Sequence, residues 1–350
     1  MTPPIELIAL FDAALAKGAS DMHILAGASP RIRVYGDLLP LPEQKPLTAT
    51  DIEELLLPLF PPSTKNGLQE GIISSSEILS THSDFNFVVY VFRSAGTLAA
   101  TVRILSAHVP TLAQVGYDCL DHFKDLAKKS SGLILITGPV GCGKQTTAFA
   151  LLQEINASLP RRIHLLEESF SHRLQSAKGL VSSLLIGQDV PDYEAAIRLL
   201  IWHADPDVLY LADLPDMQTV QSALTAARMG HLVIANATAP SAAQALATIC
   251  DALPENSLPT FSEQLIAVTS QRLFRKSDGP GRIPAYEILQ NTPALYEAIR
   301  NRATVGAFLQ ELTSEKAGTG PLPQRVADLI RNGAITESSG KEALRDYPTL

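Results

Sequence analysis

Residues 133–147, Leu-Ile-Leu-Ile-Thr-Gly-Pro-Val-Gly-Cys-Gly-Lys-Gln-Thr-Thr, pass from an apolar run through a glycine-rich turn into Gly143-Lys144 and then a helical pattern. Residue types in this order build a phosphate cradle. Gly138, Gly141 and Gly143 let backbone N–H groups converge on phosphate oxygens, with Pro139, Val140 and Cys142 between them. The helix N-terminus adds positive potential and Lys144 reaches the outer phosphates. The next position normally carries a Ser or Thr hydroxyl that binds Mg²⁺. Here it is Gln145, followed by Thr146. Gln145 offers a carbonyl oxygen on a longer arm, a poor match to octahedral geometry, and the helix carries Thr146 about a quarter-turn away.

A second acid site lies downstream. Residues 207–211 form an apolar run that ends in Ala212-Asp213, and a carboxylate there aligns with a metal or an attacking water in P-loop enzymes. A turn or helix-cap role is the alternative for Asp213. Glu167 and Glu168 follow another apolar run, and Glu168 is the better placed to touch a metal through water. His231, between Gly230 and an apolar run, fits either a satisfied structural histidine or a phosphate contact. Arg93 and Arg103 fit surface cations or groups acting across an interface. Asp205 and Asp207 read as turn residues, His23 as a partly buried strand histidine, and Trp202 with the apolar stripe 193–201 as core. Arg272, Arg275, Lys276 and Arg282 read as a solvated or subunit-facing basic face.

The elements that must position these groups follow from periodicity. From about residue 110 strands and helices alternate, with strands expected at 133–137, 162–166, 207–211 and 231–235. Helices are expected at 145–157, 192–203, 216–229 and 241–251. Such repeats make a parallel sheet with right-handed crossovers, and ligands sit at the carboxyl ends of its strands. Residues 261–274 read as an amphipathic helix and 283–289 as a strand. Helices are expected at 292–300, 305–312, 324–332 and 337–345, with a Gly/Thr/Pro-rich linker at 314–323. Before residue 107 the pattern is α+β: a helix over 5–17, strands around 21–25 and 31–35, a turn at Gly36-Asp37, a helix over 48–60 capped by Thr48 or Thr50, and a hairpin joining 85–92 to 98–105. The division read from the sequence is an N-terminal domain over 1–106, a connector over 107–118, a nucleotide-binding domain over 119–290 and a helical region over 291–350.

Composition agrees with a globular chain. Of 350 residues, 46% are hydrophobic and 18% charged, and the net charge of −8 argues against broad nucleic-acid binding. Cys119, Cys142 and Cys250 are far apart, form no zinc pattern and suit a reducing compartment. The N-terminus lacks a basic leader and no apolar run reaches membrane-spanning length, so a soluble cytoplasmic protein is expected.

Several ordered motifs together resemble the PilT branch of the secretion ATPases. Gly18-Ala-Ser-Asp-Met-His-Ile24 and Pro30-Arg-Ile-Arg-Val-Tyr-Gly-Asp37 resemble that family's opening segments. Thr137 to Lys144 resembles its Walker A loop, Asp205 to Asp213 its Walker B strand, and Ala223 to His231 its histidine box. Ala294-Leu-Tyr-Glu-Ala-Ile-Arg300-Asn301 resembles its retraction-linked helix. The resemblance implies a RecA-like P-loop domain behind a small PAS-like N-terminal domain. It also implies ATP and Mg²⁺ as ligands, a homo- or hetero-hexameric ring, and an inner-membrane pilus platform protein and a PilT-like paralogue as partners. The location implied is cytoplasmic, at the inner membrane through protein contacts, with neither membrane insertion nor direct nucleic-acid binding.

Under the same resemblance Asp213, Glu168, His231 and Arg103 would be catalytic, with His231 sensing the γ-phosphate and Arg103 acting as a trans finger. Gln145 and Asp213 would stand at the metal. Departures from the family pattern concentrate on cleavage. Gln145 replaces the Walker A hydroxyl, Glu168-Ser169 replaces Asp-Pro, Asp213 replaces the catalytic Glu, and Thr238 replaces the second histidine. Asn86, Val88 and Gly96 stand where arginine is common. A water-polarising carboxylate drawn back by ~1.5 Å costs on the order of 10²-fold in rate. An absent arginine finger costs ~10³–10⁵. Nucleotide binding with slow or absent hydrolysis is the expectation.

Overall fold

The run Gly132–Gly138 is apolar on every residue because both faces of the strand it forms are covered, as expected of a parallel sheet. The computed structural model describes residues 3–70, 75–116, 120–279, 281–313 and 320–348, so residues 314–319 of the expected linker and Cys119 lie outside the described residues. The chain divides into two compact units, Met1–His108 with Ser169–Arg173, and Val109–Glu168 with Leu174–Leu350.

The first unit holds helix α1 (Ile5–Ala16), strands β1 (Asp21–Ile24), β2 (Arg31–Val34) and β3 (Asp37–Pro40), helices α2 (Ala49–Leu56) and α3 (Pro62–Glu70), and strands β4 (Ser75–Leu79), β5 (Phe85–Ser94) and β6 (Thr97–Ser106). The strands form a six-stranded antiparallel sheet in the order β3-β2-β1-β6-β5-β4. Tyr35-Gly36 and Ala95-Gly96 take positive φ and close its tight hairpins. Thr48 and Asp51 form a reciprocal capping box on α2. Phe11 stacks on Phe87 at 4.1 Å in the core beneath.

The second unit begins with α4 (Leu112–Val115), α5 (Leu120–Ala127), β7 (Gly132–Gly138), α6 (Lys144–Ser158), β8 (Arg162–Glu167), β9 (Leu180–Leu185), α7 (Tyr193–His203), β10 (Val208–Leu211) and α8 (Met217–Arg228). It continues with β11 (Leu232–Thr238), α9 (Ala242–Ala252), α10 (Leu258–Gln264), β12 (Leu265–Arg275), β13 (Arg282–Gln290), α11 (Pro293–Arg300), α12 (Val305–Leu312), α13 (Leu322–Arg331) and α14 (Glu337–Ala343). Its seven strands run β13-β12-β7-β11-β10-β8-β9, all parallel except the terminal β13. Buried clusters lie on each face of this sheet. Burying one Leu or Ile side chain is worth about 1.5–3 kcal/mol. Ion pairs such as Lys128–Asp125 and Lys341–Glu337 are exposed, and pairs of that kind contribute ~0–1 kcal/mol. Packing therefore holds the sheet.

Three expectations are corrected. Residues 265–275 form strand β12, not the second half of a helix, because they lie between β7 and β13 with nearly every residue buried. A short apolar run covered on both faces cannot be told from a buried helix by periodicity. Trp202 is 68% exposed, since α7 buries Tyr193, Ala196, Ile197 and Leu200 on its opposite side. Arg272 is buried, not on a solvated face, and donates to the carbonyls of Ala343 and Pro240. Strand β9 gave no signal, because half its residues are exposed at a sheet edge.

Candidate phosphate-binding site

Strand β7 ends at Gly138 with φ 142°, where a Cβ would lie 2.5 Å from Cys142 Sγ and 2.6 Å from the Gln271 carbonyl oxygen. Only glycine fits there. Gly143, at φ 89°, turns the chain into α6, whose first residue is Lys144. The loop is braced from β12. Gln271 Nε2 donates to the Cys142 carbonyl at 2.8 Å, and Thr147 Oγ1 donates to Gln271 Oε1 at 3.0 Å. Sequence reading missed Gln271, which lies 129 residues from Cys142 in a segment expected to be helical. Lys144 Nζ donates to the carbonyls of Gly138 at 2.8 Å and Pro139 at 3.0 Å, and stands 3.5 Å from Thr238 Oγ1. Burial lowers the Lys144 ammonium below the usual lysine range, with Cys142 and Asp213 opposing. Burial raises the Cys142 thiol, so it is a neutral packing group. Val140 is 88% exposed at the loop tip, Gly141 is exposed, and Arg282 Nη1 lies 3.4 Å from the Gly141 carbonyl. Thr146 sits half-buried in the first turn of α6.

The order β7-β11-β10-β8 aligns four strand ends on one edge of the sheet. Gly138 is in register with Thr238 at the end of β11, Asp213 follows β10, and Glu167 and Glu168 close β8. Glu168 keeps part of its surface open, yet partial burial, and then the Asp213 charge, raise its carboxyl above the usual range. The Tyr193 hydroxyl is raised strongly by burial and then by Glu168 and Asp213, which places it with these two acids.

Gln145 is half-buried in the first turn of α6. Nearby on β10 the Tyr210 hydroxyl accepts from Asn236 Nδ2 at 2.8 Å. Tyr210 is fully buried and meets the Phe149 ring edge-on at 5.3 Å. Among the described residues no group of three or more His, Cys, Asp and Glu has the spacing to hold a metal. With a nucleotide, Mg²⁺ takes most of its oxygens from phosphate and water, so Asp213 and Glu168 are the carboxylates at this edge that would hold it.

His231 is not brought to the loop. It precedes β11 at the opposite edge, where its carbonyl accepts from Gly132 N and its Nδ1 donates to the Pro206 carbonyl at 2.6 Å. Seven residues of β11 lie between it and the phosphate edge. At ~3.3 Å per residue that is about 20 Å, so His231 does not reach the phosphate loop of its own chain. Asp207 accepts from Arg162 N at 2.7 Å and Asp205 takes φ 48°, both turn roles. Arg103 lies on β6 of the first unit, 3.6 Å from Asp21. In the same unit the His23 Nδ1 lies 3.3 Å from Thr101 Oγ1. On α11, Arg300 lies over the Tyr296 ring at 5.5 Å.

A parallel sheet with a glycine cradle at its carboxyl edge defines a P-loop protein, and residues 92–288 match the family described as Type II/IV secretion system protein, to which this chain belongs. It is 29% identical to the type IV pilus retractation ATPase PilT of Pseudomonas aeruginosa, over 93% of this chain and 94% of that protein. It is 30% identical to a twitching motility protein of Neisseria gonorrhoeae, over 93% of this chain and 87% of that one. The fold is similar to the crystal structure of the pilus retraction motor PilT with bound ADP, with a TM-score of 0.82, 28% identity and 97% of each chain covered.

Proposed function

We propose that this chain is the ATP-binding subunit of a type IV pilus or type II secretion motor of the twitching-motility kind, turning ATP over slowly. The observation that carries the reading is the glycine cradle between Gly138 and Lys144, braced by Gln271 and opening onto the N-terminus of α6. Backbone N–H groups, the helix dipole and Lys144 suffice to hold a phosphate tail. In this reading Asp213 orients the attacking water, Glu168 tunes it through their shared charge, and Thr238 faces the outer phosphate. Arg103 completes the site from a neighbouring subunit of a homo- or hetero-hexamer. Domain movement around ATP drives an inner-membrane pilus platform protein from the cytoplasmic side. No helix among the described residues is long and apolar enough to cross a membrane, in keeping with attachment through protein contacts.

One observation favours a second reading. Gln145 stands where the metal-binding hydroxyl is expected, which suits a non-catalytic subunit that assembles with and regulates a PilT-like paralogue. Phosphate release measured beside fluorescent-nucleotide binding separates the two. Turnover abolished by Lys144→Ala supports the slow motor, and binding with no turnover supports the regulator. Calorimetry that detects no heat with ATP, with or without magnesium, ends the motor reading and leaves a regulatory subunit that binds no nucleotide.

A further inference from the structure

We propose that Tyr90 is a positioning residue for Glu168, acting through the hydrogen bond that its hydroxyl makes with Ser169. The inference rests on the nucleotide-binding reading and deepens it. The last rungs of β8 run from Ala212 N to the Leu166 carbonyl at 2.9 Å and from Ile186 N to the Glu167 carbonyl at 2.8 Å. Beyond Glu167 the backbone is neither helix nor strand until β9 opens at Leu180. Within that stretch Ser169–Arg173 belong to the first unit, where the Tyr90 hydroxyl donates to Ser169 Oγ at 2.8 Å and Ser171 is buried. Tyr90 lies on β5 between Val89 and Val91, which point into the core, so its ring stands on the other face of the strand. Glu168 is thus the single residue between the last rung of β8 and a side chain anchored by a hydrogen bond.

Residue type explains why that anchor matters. The family pattern places Asp-Pro where this chain has Glu168-Ser169. A proline fixes its own φ and confines the residue before it to extended backbone. Serine does neither, and the longer glutamate side chain sweeps a wider arc about a freer backbone. Serine also supplies what proline lacks, a hydroxyl that Tyr90 can reach. One neutral hydrogen bond shifts such a conformational balance about threefold to tenfold. The shift is felt where Glu168 acts, at the magnesium that accompanies a nucleotide. The loop N–H groups and Lys144 grip phosphate without it.

The test is calorimetric titration of the full chain with ADP, which excludes turnover, in EDTA and in excess magnesium. Parent binding is expected to tighten about tenfold with magnesium. Tyr90→Phe keeps the ring and deletes the donor. It is expected to reduce that gain by about threefold or more, with the dissociation constant in EDTA within about twofold of the parent. Ser169→Ala, which removes the acceptor, is expected to do the same. A purely structural role would weaken binding in both buffers together, so an equal loss in EDTA overturns the proposal. A gain that survives in either variant, or a parent that tightens less than about threefold with magnesium, also overturns it and leaves the nucleotide-binding reading standing. No heat from the parent in either buffer overturns both.

Discussion

The cradle between β7 and α6 and the three strand ends beside it share one edge of the sheet, yet they carry the family pattern to different degrees. The cradle keeps every glycine and the lysine, while the ends of β8, β10 and β11 present Glu168, Asp213 and Thr238 in place of the acid, glutamate and histidine expected there. The first region binds through backbone N–H groups and one cation, so its demand is for backbone shape. Gly138 meets that demand because a Cβ would overlap Cys142 and Gln271. The second region acts through the reach of side-chain oxygens, where one methylene moves a charge off its target. Grip and cleavage are thus separable, and a sequence can change one while preserving the other.

The sharpest way to break this contrast is Gly138→Ala. The strained φ and the overlap with Cys142 predict a loss of about 3 kcal/mol in urea unfolding together with loss of ATP binding. An unchanged midpoint would show that the cradle does not depend on backbone shape. Lys144→Ala is expected to weaken ATP binding by ~10–100-fold while leaving the unfolding midpoint near that of the parent, as for loss of a charge-assisted hydrogen bond. On the other side, Gln145→Ser with Asp213→Glu is expected to raise phosphate release by ~10–10²-fold. No gain would move the defect elsewhere, with the missing histidine at Thr238 the next substitution to try.

Smaller effects sharpen the boundary. His231→Ala is expected to cost about 1 kcal/mol of stability, through the bond to Pro206, with ATP affinity unchanged. A fall in affinity would contradict its place at the far edge. The smallest effect concerns Glu168. Its carboxyl holds its proton above the ordinary value of 4.5, so the unfolded chain releases that proton first. Stability from this group is therefore full below pH 4.5 and declines as the pH rises through the raised folded value. Glu168→Gln is expected to flatten that decline in urea titrations at stepped pH, and an identical slope in the variant would remove Glu168 as its source.

Much of the fold was legible because its signals are local. The β-turn-helix grammar around Lys144, the apolar runs of β8, β10 and β11, and the turns at Gly36 and Gly96 are written in adjacent residues. Strand β12 was misread, since a covered strand and a buried helix share one hydrophobic pattern. Trp202 misled because its residue type points inward while the face of α7 that carries it points out. For the site, the loop positions stood out from their order alone. The histidine was the harder case: the family resemblance linked His231 to the phosphate edge, whereas strand length delivers Thr238 there.

By itself the sequence determined the glycine-lysine loop and the alternating architecture, because each is a matter of residue type and short spacing. Only the tertiary structure decided that Gln271 braces the loop, that Asn236 donates to the buried Tyr210, and that His231 stands at the end of β11 opposite Thr238. Those outcomes depend on strand order and register, which bring together groups separated by as many as 129 residues. No local pattern encodes such pairings; they follow from burying both faces of one sheet.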